Sequence, residues 1–379
     1  MKKVLQVVES LSNGGTEAFV MNHYRRIDRS KIQYDFLLAD NKYQVYEDEA
    51  RALGANVFYC KNPSLGTESA FIQSVVEIIN KHGPYDIIHA HSNLANTWVM
   101  YAARKAGIKV RISHSHAASG QDTNNLISGS YFKLEKYFLR KSSSLFLACS
   151  NEAGKYLYGE SFWKRNGYVF KNGIDVSKFV SATRRQSLIK EFNIEPNNYV
   201  FGNITRYDDN KNMDFLLDVF AQLLKTKENC ILLLGGAERG KLQYLKEKAK
   251  ILNVESKVRF IGERQDVQDC LKLMDIYLFP SIKEGLGIAL LEAQAAGLKC
   301  VASTGVPQEA DVGAGLVEFV ELENGCQKWV DTILNNIDYT KPTSDEIMLK
   351  FKESGFDVNE TTRVLESIYL SGQVPHKAC

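Results

Sequence analysis

The sequence predicts an α/β protein built from two doubly wound parallel sheets in series. Short apolar runs of strand length alternate with helix-length segments through both halves of the chain. At 379 residues the chain is also too long for one ordinary core and comfortable as two domains. A turn signal, Lys171-Asn-Gly-Ile-Asp175, interrupts the alternation within Val169–Phe179. The expected domains are therefore 1–170 and 171–355, with 356–379 as a helix and tail that can pack back on the first domain.

The strand candidates follow in order. Val4–Val8, Tyr34–Leu38, Asn56–Tyr59, Ile87–His89, Val110–Ser113 and Leu145–Ala148 belong to the first half. Val200–Ile204, Ile231–Leu234, Val258–Ile261, Ile276–Phe279 and Cys300–Ser303 belong to the second. Between them lie helical patterns such as Glu17–Arg26, Ser69–Lys81, Asn212–Leu224 and Leu242–Leu252, and a last one at Glu360–Tyr369. Open sheets of this kind take ligands at the carboxyl ends of their strands, so a cleft between the two domains is the expected site.

Composition removes several function classes. A net charge of +2 leaves no basic face for nucleic acid. Seven scattered cysteines (Cys60, Cys149, Cys230, Cys270, Cys300, Cys326 and Cys379) form no C-x-x-C pair, which argues against a zinc ribbon or disulfide framework. Met1-Lys-Lys leads straight into a strand, and no apolar run reaches the roughly 18 residues of a membrane span. A cytoplasmic location is the expectation.

The segment Ser281–Gly297 is the most informative. An apolar strand ends at Pro280, and Glu284 precedes Gly285-Leu-Gly287 before a helical pattern opens near Ile288. Glu292 then lies about one turn inside that helix. The backbone amides from Gly285 through Leu286 and Gly287 to Ile288 suit a phosphate. Carboxylates on either side can accept hydrogen bonds from sugar hydroxyls, as a nucleotide-sugar requires. The plain alternative is a surface helix with two solvated glutamates.

Arg206 ends the strand Val200–Ile204 and its following turn, and Lys211 stands five residues later before a helix. Together they can bracket a diphosphate, Arg206 by a forked contact and Lys211 as a compact charge. Gly14 and Gly15 follow the first strand and can turn amides toward an anion. Two histidine clusters, His89-Ala-His91 and His114-Ser-His116, end strands of the first half and favour ligand contact. Zinc is not expected, since matching Cys or carboxylate ligands and a D-x-D pair are both missing from the pattern. Tyr131–Lys141 interleaves aromatic with basic residues and reads first as a helix burying its aromatic face, second as a membrane or acceptor surface.

Taken in order along the chain, these residues resemble the retaining GT-B glycosyltransferases of glycosyltransferase family 4. The likeness runs through Gly14-Gly15, His91, His114, Asn172-Gly173, Arg206, Lys211, Gly235-Gly236, Gly262 and Glu284–Gly297. Arg111-Ile-Ser-His-Ser-His116 most resembles the capsular and exopolysaccharide subgroup. The resemblance implies two Rossmann-like domains facing across a cleft. It implies transfer from a nucleoside-diphosphate sugar, UDP by family preference, with retention and without metal or cofactor. Arg206 and Lys211 would stabilise the leaving diphosphate, Glu292 would hold the ribose, Glu284 the sugar hydroxyls, and His114 the sugar near its C6 group. His91 would lie in the same pocket, and the Gly14-Gly15 loop would close over the phosphates and help shape the acceptor site. The implied acceptor is a glycan or polyprenyl-linked oligosaccharide, with peripheral association at the inner membrane face. Gly287 departs from relatives that carry proline there. A sugar-nucleotide 2-epimerase of the same architecture and a non-catalytic sugar-nucleotide-binding partner are the alternatives.

Overall fold

A computed structural model describes residues 1–12, 14–39, 45–63, 66–117 and 126–375. Asn13 of the first loop and Cys379 of the tail lie outside them. The chain forms two compact units, Met1–Ile174 with Val358–Cys379, and Asp175–Asp357.

The first unit carries seven strands: β1 (Lys2–Val8), β2 (Ile32–Leu38), β3 (Val57–Tyr59), β4 (Ile87–Ala90), β5 (Val110–Ser115), β6 (Leu145–Ala148) and β7 (Gly167–Val169). They pair in parallel in the order β3-β2-β1-β4-β5-β6-β7. The second unit repeats the plan with β8 (Tyr199–Ile204), β9 (Cys230–Gly235), β10 (Val258–Gly262), β11 (Ile276–Phe279), β12 (Lys299–Ser303) and β13 (Val317–Val320), in the order β10-β9-β8-β11-β12-β13. Helices cover both faces, so a central strand such as Cys230-Ile-Leu-Leu-Leu-Gly235 is buried along its whole length.

Each order reverses once, between β1 and β4 and between β8 and β11. Strand ends splay apart at such a point and leave room for a ligand. The sequence pattern misses only β7 and β13, and the reason is physical. Both are short edge strands that are half exposed, so neither carries a dense apolar run.

The last helix, Val358–Ser371, belongs to the first unit. It buries Leu365, Ile368 and Tyr369 in the core that holds Val4, Phe19, Tyr34 and Phe36. The chain crosses itself where it enters: Val358 donates its amide to the Ile174 carbonyl at 3.1 Å.

The helix containing Tyr131–Lys141 spans Leu126–Ser142 and corrects the first reading of that stretch. Its buried stripe is Glu135, Leu139 and Ser142, while Leu134 and Tyr137 are about half exposed at 48% and 50%. Tyr131, Phe132 and Phe138 are partly buried at its margin, where Phe138 packs on Trp98 at 6.0 Å and Lys136 lies over Phe132 at 4.1 Å. Burial pushes the Glu135 carboxyl up to about 7.

Candidate active site

In the second unit the loops after β8 and β11 meet at the point of reversal. Asn210 ties them together. Its carbonyl accepts from Ile282 N at 2.8 Å, its Oδ1 accepts from Lys283 N at 3.1 Å, and its Nδ2 donates to the Lys283 carbonyl at 2.7 Å. The result places Lys211 Nζ 2.5 Å from Glu284 Oε1, with both side chains about nine-tenths buried. Lys211 also lies 5.4 Å from the centre of the Phe279 ring. A near-buried pair of this kind holds each charge only while the other is present. Arg206 differs: its side chain is 55% exposed and its Nε stands 3.5 Å from Asp208 Oδ2.

Glu284 is fixed from the other side by a backbone contact. Its amide donates to the Gly305 carbonyl at 3.0 Å. A Cβ on Gly305 would sit 2.1 Å from the Ile282 carbonyl oxygen, so only glycine lets the β12 loop approach this closely.

Gly287 caps the helix Ile288–Ala295 in the left-handed region, at φ +92°. Proline is locked near φ −65° and cannot take that backbone. The amides of Ile288 and Ala289 open the helix before Leu290 and Leu291 bond back to the Gly287 carbonyl. Leu286 is buried and offers only its backbone. Glu292 is part-buried in this helix, and burial pushes its carboxyl up to about 7, partly offset by Lys178.

The first-unit residues tell a different story. Gly14 is in ordinary extended backbone (φ −119°) at the start of helix Gly15–Tyr24. A Cβ there would meet Glu17 Oε2 at 2.3 Å, so the loop already faces a carboxylate, which accepts from Ser10 Oγ at 2.9 Å. An anion would have to displace it. His91 and His114 are buried with His23 against Phe19, which half-buried His116 also touches, and buried His89 packs on His91 and His114. Burial drives every one of these imidazoles toward the neutral form, His23 and His116 to about 3.

His89, His91 and His114 bring nitrogens within 4.8 Å of one another. The sequence argument against zinc did not foresee three converging histidines. Every ring nitrogen of the three except His114 Nε2, however, already has a hydrogen-bond partner. The sequence reading also missed Asn210, Gly305, Gln6 and Tyr369. Of these, only Gln6 left a signal, a lone polar residue inside the apolar run of β1.

Comparison with known proteins agrees with this architecture. The family model "Glycosyltransferase Family 4" matches residues 13–178, and "Glycosyl transferases group 1" matches 184–315. EpsF of Bacillus subtilis, provisionally named a glycosyltransferase, is 31% identical over 97% of this chain and 96% of its own. The capsular polysaccharide biosynthesis glycosyltransferase CapH of Staphylococcus aureus is 25% identical over 98% and 99%. Among solved structures, Anabaena HepE in complex with UDP and glucose superposes with a TM-score of 0.79 at 20% identity, covering 98% of this chain and all of its own. A full-length relative at this identity, with both halves matched in order, makes the chain a glycosyltransferase of the group 1 and family 4 type, with the GT-B fold.

Proposed function

We propose that the enzyme moves a hexose from a UDP-sugar to a glycan or polyprenyl-linked acceptor in building a bacterial surface polysaccharide. The transfer retains anomeric configuration and needs no metal. The observation that carries the reading is the Lys211–Glu284 pair where the loops after β8 and β11 meet at the reversal, with the helix opening at Ile288 following from the same loop. In this reading Lys211 leaves Glu284 to pair with the diphosphate, Arg206 adds a second cation, and the helix amides complete the cradle. Glu292 accepts from the ribose hydroxyls and Glu284 from those of the sugar, and His114 and His91 are the first unit's candidates for binding the sugar. The C1–O bond to phosphate breaks as the acceptor oxygen bonds to C1, and the acceptor proton passes to the departing phosphate.

The named relatives support the donor and the pathway class: HepE was solved with UDP and glucose, and CapH is named for capsular polysaccharide. No helix among the described residues is long and apolar enough to cross a membrane. Exposed Leu134 and Tyr137 beside Lys133 and Lys141 support peripheral association.

Thermal shift with UDP, GDP, ADP and their sugars, with and without EDTA, tests the reading. A selective rise with UDP ligands that survives EDTA is expected. A rise that EDTA abolishes would overturn metal independence. An inverted anomeric product by NMR would overturn retention, and an epimer formed from donor alone would overturn transfer as the chemistry.

A further inference from the structure

Two hydrogen-bond chains leave the amide of Gln6, which is only 1% exposed. Its Nε2 donates to Tyr369 Oη at 2.9 Å. Tyr369 Oη lies 2.7 Å from His89 Nδ1, and His89 Nε2 lies 3.2 Å from His114 Nδ1. On the other side, Gln6 Oε1 lies 3.0 Å from His91 Nε2, and His91 Nδ1 lies 2.9 Å from His116 Nε2. Each chain ends on a buried nitrogen without a partner, His114 Nε2 and His116 Nδ1.

A neutral imidazole carries one proton, so a donor at one end of such a chain fixes every member. A phenol oxygen can accept more than once, so Gln6 alone does not set the next step; we take Tyr369 Oη to accept from Gln6 and to give its own proton to His89 Nδ1. His89 must then donate from Nε2 to His114 Nδ1, which leaves the proton of His114 on Nε2. Along the second chain, Gln6 Oε1 accepts from His91 Nε2–H, and His91 Nδ1 accepts from His116 Nε2–H. His116 Nδ1 is left as a bare lone pair.

We infer that Gln6 is a positioning residue whose amide sets the tautomers of four histidines at once, presenting His114 as a donor and His116 as an acceptor to a hydroxyl-bearing ligand. Turning the amide over would move all four protons to Nδ1 and exchange the two roles. In either orientation one open nitrogen donates and the other accepts, the pair a hydroxyl group satisfies. Their rings lie 4.1 Å apart, centre to centre. Burial supports the scheme by keeping the rings neutral, since a doubly protonated ring would break the chain. The identity of the ligand as a sugar rests on the proposed function; the proton order does not.

Histidine-selective ¹⁵N labelling of the full chain reads the tautomers directly. In the native protein His89, His91, His114 and His116 should each show a protonated Nε2 and a bare Nδ1. Gln6→Glu is nearly isosteric and, at a pH high enough to ionise a buried carboxyl, has no donor, so Tyr369 then turns its proton to the new carboxylate. His89 and His114 should then switch to Nδ1–H while His91 and His116 stay as they were. Mixed tautomers in the native protein, or no switch in the variant, would overturn the inference. So would stoichiometric zinc in the purified protein.

Should Gln6→Glu fail to fold, Tyr369→Phe removes the bridging hydroxyl and should free only His89 and His114 to mix. Release of UDP from UDP-glucose should fall roughly ten- to hundredfold in Gln6→Glu with UDP affinity unchanged. Equal losses in both would mean a merely structural role and would overturn the positioning claim. A native protein that fails to bind UDP would defeat the proposed function and leave the tautomer test standing.

Discussion

Glu292 is held near its midpoint at neutral pH because burial favours the proton, and this makes its site sensitive to pH in a predictable direction. Its folded value of about 7 lies above the 4.5 of an unperturbed glutamate. The stabilisation is full below 4.5 and is lost as pH rises through 7, at about 1.4 kcal/mol per unit. Glu292→Gln should therefore raise the melting temperature of the second unit at pH 8 and have little effect at pH 4.5. If the ionised carboxylate accepts from ribose, UDP should bind more tightly at pH 8 than at pH 6 in the native enzyme, and the dependence should vanish in the variant. A native affinity that is flat with pH would contradict that role. Lys211→Ala strands Glu284 without its partner and should lower turnover by about 10²–10³, the scale of one lost donor at a developing negative charge. Steady-state kinetics with the native enzyme as reference decides this. Arg206, Lys211, Glu284 and Glu292 were legible in the sequence because loops after apolar runs advertise their polar residues. Gln6 and Tyr369 were not, because their partnership spans 363 positions.

Element boundaries were legible wherever a strand is buried on both faces, since density of apolar residues then marks it. The edge strands β7 and β13 lack that mark. The Leu126–Ser142 helix misled for a related reason: its aromatic residues look like core but are only partly buried or exposed, and Lys136 and Lys141 lie over two of them. Loop-to-loop contacts are also silent in a sequence, and Gly305 shows the cost. Gly305→Ala would drive a Cβ into the Ile282 carbonyl and push the β11 loop outward, carrying Glu284 with it. The second unit should still fold, with UDP binding weakened at least about tenfold, as calorimetry would show. Unchanged binding would mean that the loop does not carry the site. Gly287→Pro should fail more severely, because φ +92° is closed to proline.

The two units respond to acid in opposite senses. All five clustered histidines belong to the first, and residues 175–357 contain none. Above pH 6.5 these rings are neutral in both folded and unfolded chains and contribute nothing to the difference. Below it the unfolded chain takes up protons that the buried rings refuse, so stability is lost from 6.5 down to about 3 for His23 and His116. Calorimetry between pH 7 and 5 should show the first unit's transition falling while the second's holds or rises. Transitions that fall together would show that the histidines are not neutral in the folded protein.

The helix Val358–Ser371 has one more consequence. It supplies Leu365, Ile368 and Tyr369 to the first unit's core, each worth roughly 1.5–3 kcal/mol of burial against a typical domain stability of 5–15 kcal/mol. A ribosome delivers these residues after the whole of the second unit. The first unit to emerge is thus the last that can close, and the second folds while its predecessor still lacks part of its core. A message truncated before codon 358 would yield a sound second unit joined to a first unit that proteases can digest.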